Sequence, residues 1–491
     1  MKYASIIVIS FESSHEEPLS PASQFFHEPC FNVYIIAIMG FKTTINPDVV
    51  KAGLEHTLVK HPRFSSKLVR NIVSYKKWSQ TKVNLEDHVI VPELDPNIDF
   101  PDRFVEDYVS NLTRTPLDLS KPLWELHILN IKTSDAEAVA VFRIHHSMGD
   151  GASLTSLLLA CTRKTSDPEA LPSIPVKKRA ASTNSGGFWW LFLAVWWVLR
   201  LIWNTLVDVV LFVAISLFLK DTKTPIKGEH GVERNIKKFV HRTVSLDDIK
   251  LVKNAMNMTV NDVLVGVVQA GLSRYLNLHS SGEEQKDGRV KQMKNIIISK
   301  CIRLRAIIPV NLRKIAGIQD LADMMAKGSK TGWGNLFGYM LLPLNIALQD
   351  QDPLDYVRKM KATIDRKKLS LGHIFTCSCA TLVFRTFGAK VAAAIIHRAI
   401  FHTTMAISGL VGPQEEISFY GHPIAYLAPS GYGHPIALTV HFQSYAHRMT
   451  LALAVDPTVI PDPHLLCEDL EESLKLIRDA VVKKGLIKDA V

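Results

Sequence analysis

The stretch His145-His146-Ser147-Met148-Gly149-Asp150-Gly151 reads HHxxxDG. Before it, residues 138–144 look like a β-strand, with β-branched Val139 and Val141 and bulky Phe142 and Ile144. After it, residues 152–163 carry Leu154, Leu157, Leu158 and Cys161 at helical spacing. Two histidines at a strand exit, with a carboxylate four residues on, suit general-base chemistry. An imidazole titrating near neutrality can take the proton of a hydroxyl as that hydroxyl attacks an electrophile. Isolated, such a pair would read as ordinary surface or core histidines. The two glycines and the strand–loop–helix setting favour a specific turn instead. Neither HExxH nor a Cys/His cluster of ligand spacing accompanies the pair, so no metal is expected.

The chain has 491 residues, enough for two or three domains. It is 47% hydrophobic and 21% charged, as in globular proteins with large cores. A net charge of +10 raises acidic partners or an anionic membrane surface. Two basic clusters, Lys177-Lys178-Arg179 and Arg366-Lys367-Lys368, lack interleaved aromatics. They read as solvated or membrane-facing charge, and no nucleic-acid partner is expected. The six cysteines, Cys30, Cys161, Cys301, Cys377, Cys379 and Cys467, have neither zinc nor CxxC spacing and suit a reducing compartment. The apolar run at residues 5–10 is too short for a signal peptide, and Glu12, Glu16 and Glu17 follow it. The bulk of the chain is expected to face the cytosol.

Residues 1–164 read as one α/β unit. Within it Asn46-Pro47-Asp48 starts a helix, Val50, Leu54 and Leu58 line one face, and His61-Pro62 stops it. Residues 165–236 form a linker. It contains an apolar segment, 188–219, with five of the eight tryptophans. As a helix this segment would run about 48 Å, beyond the ~30 Å of a bilayer core. Arg200, Asn204 and Asp208 recur at i, i+4 and i+8 as one polar stripe. A buried core helix is the plainer alternative, but such tryptophan density suits a membrane interface. Basic residues flank both ends, which points to an in-plane or re-entrant helix, or a short hairpin, rather than a single crossing. Residues 237–491 read as a second α/β unit. Ser245 begins a short helix, and Thr259-Val260-Asn261-Asp262 looks like a capping box opening a longer one. Residues 304–309 look like a strand, 436–444 and 449–455 a hairpin, and 463–477 a closing helix.

Several of these stretches, in this order, belong to a known pattern. They are Pro18-Leu19-Ser20-Pro21, Pro122-Leu123-Trp124-Glu125, HHxxxDG, Asn261-Asp262-Val263, Pro309-Val310-Asn311-Leu312-Arg313, Gly334-Asn335 with Gly338, and Gly412-Pro413. The chain resembles the plant wax ester synthase/diacylglycerol acyltransferase family, within the chloramphenicol-acetyltransferase-like superfamily. HHxxxDG alone is shared with peptide-synthetase condensation domains; the ordered set is more specific. Ser408-Gly409-Leu410-Val411 departs from the family's usual serine–asparagine–valine–proline run before Gly-Pro.

The resemblance implies an α/β fold of two chloramphenicol-acetyltransferase-like domains with mixed sheets and a channel between them. It implies acyl transfer from long-chain acyl-CoA, a substrate and not a cofactor, to a fatty alcohol, forming a wax ester. Diacylglycerol as acceptor, forming triacylglycerol, is the nearest alternative; a non-catalytic lipid-binding protein is another. His146 takes the family's general-base role, with His145 in support. Asp150 is expected to hold the loop through an ion pair with Arg313, beside Gly151. Asn261 is the candidate donor to the developing oxyanion. The resemblance also implies a membrane surface as partner, at the endoplasmic reticulum or alternatively the plasma membrane, with both catalytic units cytosolic.

Overall fold

The computed structural model describes residues 16–70, 76–95, 97–174, 188–279, 302–313, 333–346 and 352–486. The apolar run at residues 5–10, Glu12, Lys177-Lys178-Arg179 and Cys301 lie outside these residues. Two large mixed sheets organise the rest. The first has seven strands, in the order Val89–Ile90, Trp124–Leu129, Ala138–His145, Tyr34–Phe41, His422–Tyr432, Ile417–Phe419 and Thr162–Lys164. The second has six, in the order Phe337–Leu344, Leu304–Asn311, Met405–Leu410, Leu438–Tyr445, Arg448–Val455 and Lys238–Ser245. A small third sheet joins Glu16–Pro18, Lys76–Gln80 and Ser66–Arg70.

The strand Ala138–His145 is buried along its whole length. It lies inside the first sheet, between Trp124–Leu129 and Tyr34–Phe41. Neighbours on both edges and on both faces account for the unbroken apolar run over residues 138–142, where a half-exposed strand would alternate. The helix after it spans Gly151–Ala160. The expected capping signals hold elsewhere. Asn46 caps Pro47–His56, Ser245 caps Leu246–Ala255, and Thr259 and Asp262 cap Val260–His279 reciprocally.

One part of the chain leaves the unit expected for it. Residues 417–432 were assigned to the second unit, yet the strand His422–Tyr432 pairs antiparallel with Tyr34–Phe41 of the first. Its register runs from Ile424 opposite Phe41 to Tyr432 opposite Tyr34. Apolar Ile424, Leu427 and Ala428 are buried there in the first core. Arg143 donates from Nε to Tyr432 Oη at 2.8 Å, and the Tyr34 and Tyr432 rings stack at 5.1 Å. A division of the sequence at 164 and 237 therefore does not divide the sheets.

The helix Phe188–Leu217 has 30 residues, and Trp190, Trp196, Trp197 and Trp203 on it are exposed. Its polar stripe divides. Asn204 donates to Leu369 O at 3.0 Å, and Asp208 accepts from Lys367 Nζ at 2.6 Å, while Arg200 is exposed. For Lys367 this corrects the reading of Arg366-Lys367-Lys368 as solvated or membrane-facing charge. Lys367 is buried on Asp208, Arg366 lies 3.6 Å from the same carboxylate, and Lys368 pairs with Asp262 at 3.1 Å. A charge on an apolar helix is costly to bury alone, and Lys367 with Arg366 supplies the counter-charge of Asp208.

A second helix, Gly372–Phe401, is also long and apolar enough to cross a membrane, by length and composition. It is broken at Gly388, whose φ of 82° lies in the left-handed region.

Candidate active site between the two sheets

Pro18-Leu19-Ser20-Pro21 sets up one wall. Ser20 caps the short helix Pro21–Phe25 through its side chain, and Pro21 fits the first turn, where no N–H is needed. That helix delivers Phe26, whose ring stacks on His146 at 4.3 Å. It also delivers Ser23, whose hydroxyl accepts from Asn335 Nδ2 at 3.1 Å.

His146 lines a cavity of about 240 Å³ between the two sheets. Its Nδ1 lies 3.1 Å from Asn335 Oδ1. The amide orientation of Asn335 follows from its neighbours, since Nδ2 donates to both Ser23 Oγ and the His146 carbonyl. Oδ1 is therefore the acceptor and His146 Nδ1 carries the proton. Among the described residues nothing takes Nε2, so its lone pair is left for substrate. Burial pushes the imidazole below its usual range, which keeps it neutral and able to accept a proton.

His145 points elsewhere. It is buried, stacked on His27 at 4.2 Å. Its Nε2 is 2.9 Å from Asn32 Oδ1, and its Nδ1 accepts from the Ser147 N–H at 3.2 Å. Burial, with His27 and His146 beside it, holds it well below the usual imidazole range. It is a neutral strut for the loop.

Asp150 does two tasks. One carboxylate oxygen accepts from the Ser153 N–H at 3.0 Å and caps the helix Gly151–Ala160. The other accepts from Arg313 Nη1 at 2.7 Å and from the Leu336 N–H at 3.0 Å. Arg313 also donates to the Gly334 carbonyl, as does Ser153 Oγ. Trp333 donates from Nε1 to the Met148 carbonyl at 2.8 Å and packs on His61 at 4.2 Å. The loop after the motif is thereby latched to residues 333–336. The glycines serve close packing more than an unusual turn, because Gly149 has extended φ. A Cβ at Gly149 would lie 3.3 Å from Trp333, and one at Gly151 would lie 3.3 Å from Leu410.

Asn261 is not at the cavity. Ala406, Ser408, Gly409 and Leu410 of the strand Met405–Leu410 line it, and Asn261 does not. A Cβ on Gly409 would instead point toward Asn261 Oδ1 at 3.4 Å, so Asn261 sits on the far side of that strand and is exposed. Placed there, Asn261 gains no support from this structure as oxyanion donor. Its neighbour Asp262 turns inward to complete the capping box, which leaves Asn261 outside.

Three polar contributors escaped the sequence reading. Asn335 was noted only within a matching stretch. His434 and His441 line the cavity, and burial takes them down to about 3 and about 4. His434 Nε2 contacts Thr439 Oγ1 at 2.7 Å, and His441 Nδ1 contacts Ser430 Oγ at 3.2 Å. No motif marks either one. Among the described residues no group of three or more His, Cys, Asp or Glu side chains could hold a metal ion.

Two mixed sheets that exchange a strand and enclose a neutral histidine define a chloramphenicol-acetyltransferase-like fold. Solved structures agree. The wax ester synthase/diacylglycerol acyltransferase from Marinobacter aquaeolei VT8 superposes with a TM-score of 0.59 at 17% identity, covering 95% of this chain and 100% of that one. The first condensation domain of the calcium-dependent antibiotic synthetase gives 0.56 at 12% identity, covering 96% and 97%. The family model for the wax ester synthase/diacylglycerol acyltransferase catalytic domain matches residues 33–264, and that for the WS/DGAT C-terminal domain matches 333–478. Two Arabidopsis thaliana proteins, wax ester synthase/diacylglycerol acyltransferases 11 and 5, are each 53% identical. The first covers 97% of both chains, the second 96% of this chain and 94% of its own. The chain belongs to the wax ester synthase/diacylglycerol acyltransferase family.

Proposed function

We propose that the protein is an O-acyltransferase that moves a long-chain acyl group from CoA to a fatty alcohol, forming a wax ester. The observation that carries this is His146, fixed by Asn335 with Nε2 unpartnered in an apolar cavity. In the reaction, Nε2 removes the proton of the alcohol as its oxygen attacks the thioester carbonyl. The tetrahedral intermediate collapses, the C–S bond breaks, and the CoA sulfur leaves with the proton held by the imidazolium. No acyl-enzyme is required. With Asn261 outside, the groups suited to meet the developing oxyanion are on the opposite wall, among Ser408, Ser430, Thr439 and His441. Asp150 and Arg313 act through the loop and not on substrate.

Diacylglycerol is the second acceptor, since the relatives' names join both activities. Membranes from cells expressing the protein, given labelled palmitoyl-CoA with hexadecanol or with diacylglycerol, separate the two. Labelled wax ester supports the first reading, and labelled triacylglycerol alone supports the second. No labelled neutral lipid with either acceptor overturns both.

The helix Phe188–Leu217 is proposed to lodge in the face of the endoplasmic reticulum membrane or, alternatively, the plasma membrane. Both catalytic units then stay on the cytosolic side. Its exposed tryptophans support this, being suited to the headgroup boundary. A single crossing would put the units on opposite sides, which a shared active site forbids. Tags at Met1 and Val491 should both be digested when intact microsomes are treated with protease. Protection of one alone would refute the arrangement.

A further inference from the structure

A narrower cavity of about 70 Å³ adjoins the catalytic one. The two share Phe26, Phe31, Ile307, Phe337, Tyr339 and Ile400. Phe26 and Phe337 are the rings beside His146, at 4.3 and 6.0 Å. This second space therefore begins one side chain from the base. Its far walls come from both arms of the broken helix Gly372–Phe401. Ala380 and Val383 lie before the break, and Ala392, Ile396 and Ala399 after it. Phe212, from the tryptophan-bearing helix, closes the outer side.

We propose that this cavity holds the hydrocarbon chain of the acyl acceptor, and that the acceptor enters it sideways from a lipid bilayer. The inference rests on the acyl-transfer reading above. The helix Gly372–Phe401 has the length and composition of a span, but its break prevents a straight one. Its arms, 372–387 and 389–401, rise only about 24 and 20 Å, short of the ~30 Å hydrocarbon core. A shallow wedge fits better. Leu382, Phe387 and Val391 are exposed around the break, and Arg385 and Lys390 flank it, exposed and suited to phosphate headgroups. Ile395 both lines the cavity and is partly open to the outside, which puts the mouth on this apolar face.

The first arm is held in place. A Cβ at Gly338 would fall 1.8 Å from the His373 carbonyl, so glycine alone lets the strand Phe337–Leu344 approach the helix this closely. The Tyr339 N–H also donates to Thr376 Oγ1 at 2.9 Å. The cavity is too narrow for a long chain at rest, so the second arm must yield, and Gly388 is the joint. Chemistry selects the occupant. The nucleotide of acyl-CoA is anionic and stays in water, whereas long-chain alcohols and diacylglycerol dissolve in lipid. A wall made of two helices that are each long and apolar enough to cross a membrane suits the second kind of molecule. A third apolar cavity, beneath the helix Gly151–Ala160, shares Ile35, Gly151, Leu410 and Pro429 with the catalytic one and leaves room for the other chain.

The test uses the full chain in vesicles of phosphatidylcholine with a minor share of phosphatidylserine. Ala380→Phe should lower the ratio of kcat/KM for hexadecanol over hexanol by at least ~10-fold. The ratio for palmitoyl-CoA over octanoyl-CoA should stay put. Val383→Ala, which enlarges the space, should raise octadecanol relative to hexadecanol. Arg385→Glu with Lys390→Glu should lower the hexadecanol-to-hexanol ratio again, through poorer lipid contact. An unmoved alcohol ratio in the Phe and Ala variants, or a change that follows acyl-CoA length instead, overturns the chain assignment. An unmoved ratio in the double variant overturns sideways entry. Absence of transfer by the unaltered protein both to alcohols and to diacylglycerol would instead sink the acyl-transfer reading itself.

Discussion

The general base proposed here, His146, needs one nitrogen kept free, and Asn335 holds the other. His146→Ala should reduce acyl transfer by ~10²–10⁴-fold, the usual cost of losing such a base. Near-normal turnover by the variant, measured with labelled palmitoyl-CoA and hexadecanol, would exclude the role. Asn335 has a subtler signature. Its hydrogen bond raises the affinity of His146 for a proton, against burial, which lowers it. The base is active when neutral, so rate falls as pH drops through its pKa, and burial puts that limb below the usual imidazole value. Asn335→Ala should move the limb to lower pH and Asn335→Asp to higher pH, with kcat reduced in both. Superimposable pH–rate profiles would show that Asn335 does not tune the ring. At this scale the motif made His146 legible. Asn335 was not, because it lies 189 positions away and nothing local marks it. Asn261 was misplaced because a helix start does not disclose which side of a strand it will face.

Elements are joined here by shared carboxylates. Asp150 caps one helix and grips Arg313 from the other half of the chain, with both side chains under 10% exposed. Asp150→Asn and Arg313→Ala should each lower activity by loosening the loop that carries His146. A double-mutant cycle on kcat/KM should show coupling of roughly 0.5–3 kcal/mol. Additive losses would mean that the pair does not work as a unit. Element starts were legible in the sequence, since Asn46, Ser245 and the Thr259–Asp262 box obey local chemistry. The helix Gly372–Phe401 was not. Its Ser, Thr, Cys and His residues dilute the apolar pattern, and it lacks the tryptophans that marked its partner. Nor did the basic trio at 366–368 disclose that its counter-charges, Asp208 and Asp262, sit on distant helices.

On the scale of the whole molecule, buried neutral histidines set a limit in acid. Burial takes His27, His61 and His434 down to about 3 and His441 to about 4. In the unfolded chain each would bind a proton below pH ~6.5. Their contribution to stability is therefore complete above that pH and is lost as pH falls toward about 3, or about 4 for His441. Each costs at most about 1.4 kcal/mol per pH unit in that window. The Tm should drop clearly between pH 7 and pH 5, and an equal Tm at both would contradict the burial of these rings as neutral species. Two α/β units were legible at this scale, but the strand that changes sheets was not, because pairing across the chain leaves no local trace. That strand also bears on how the protein comes into being. Tyr34 meets Tyr432, a partner roughly 400 residues later, so the first sheet keeps an open edge until nearly the whole chain has left the ribosome. Both apolar helices emerge before that edge can close. The nascent chain thus has to shelter an unpaired strand and two lipid-seeking segments at once, and neither half can be expressed alone as a finished unit.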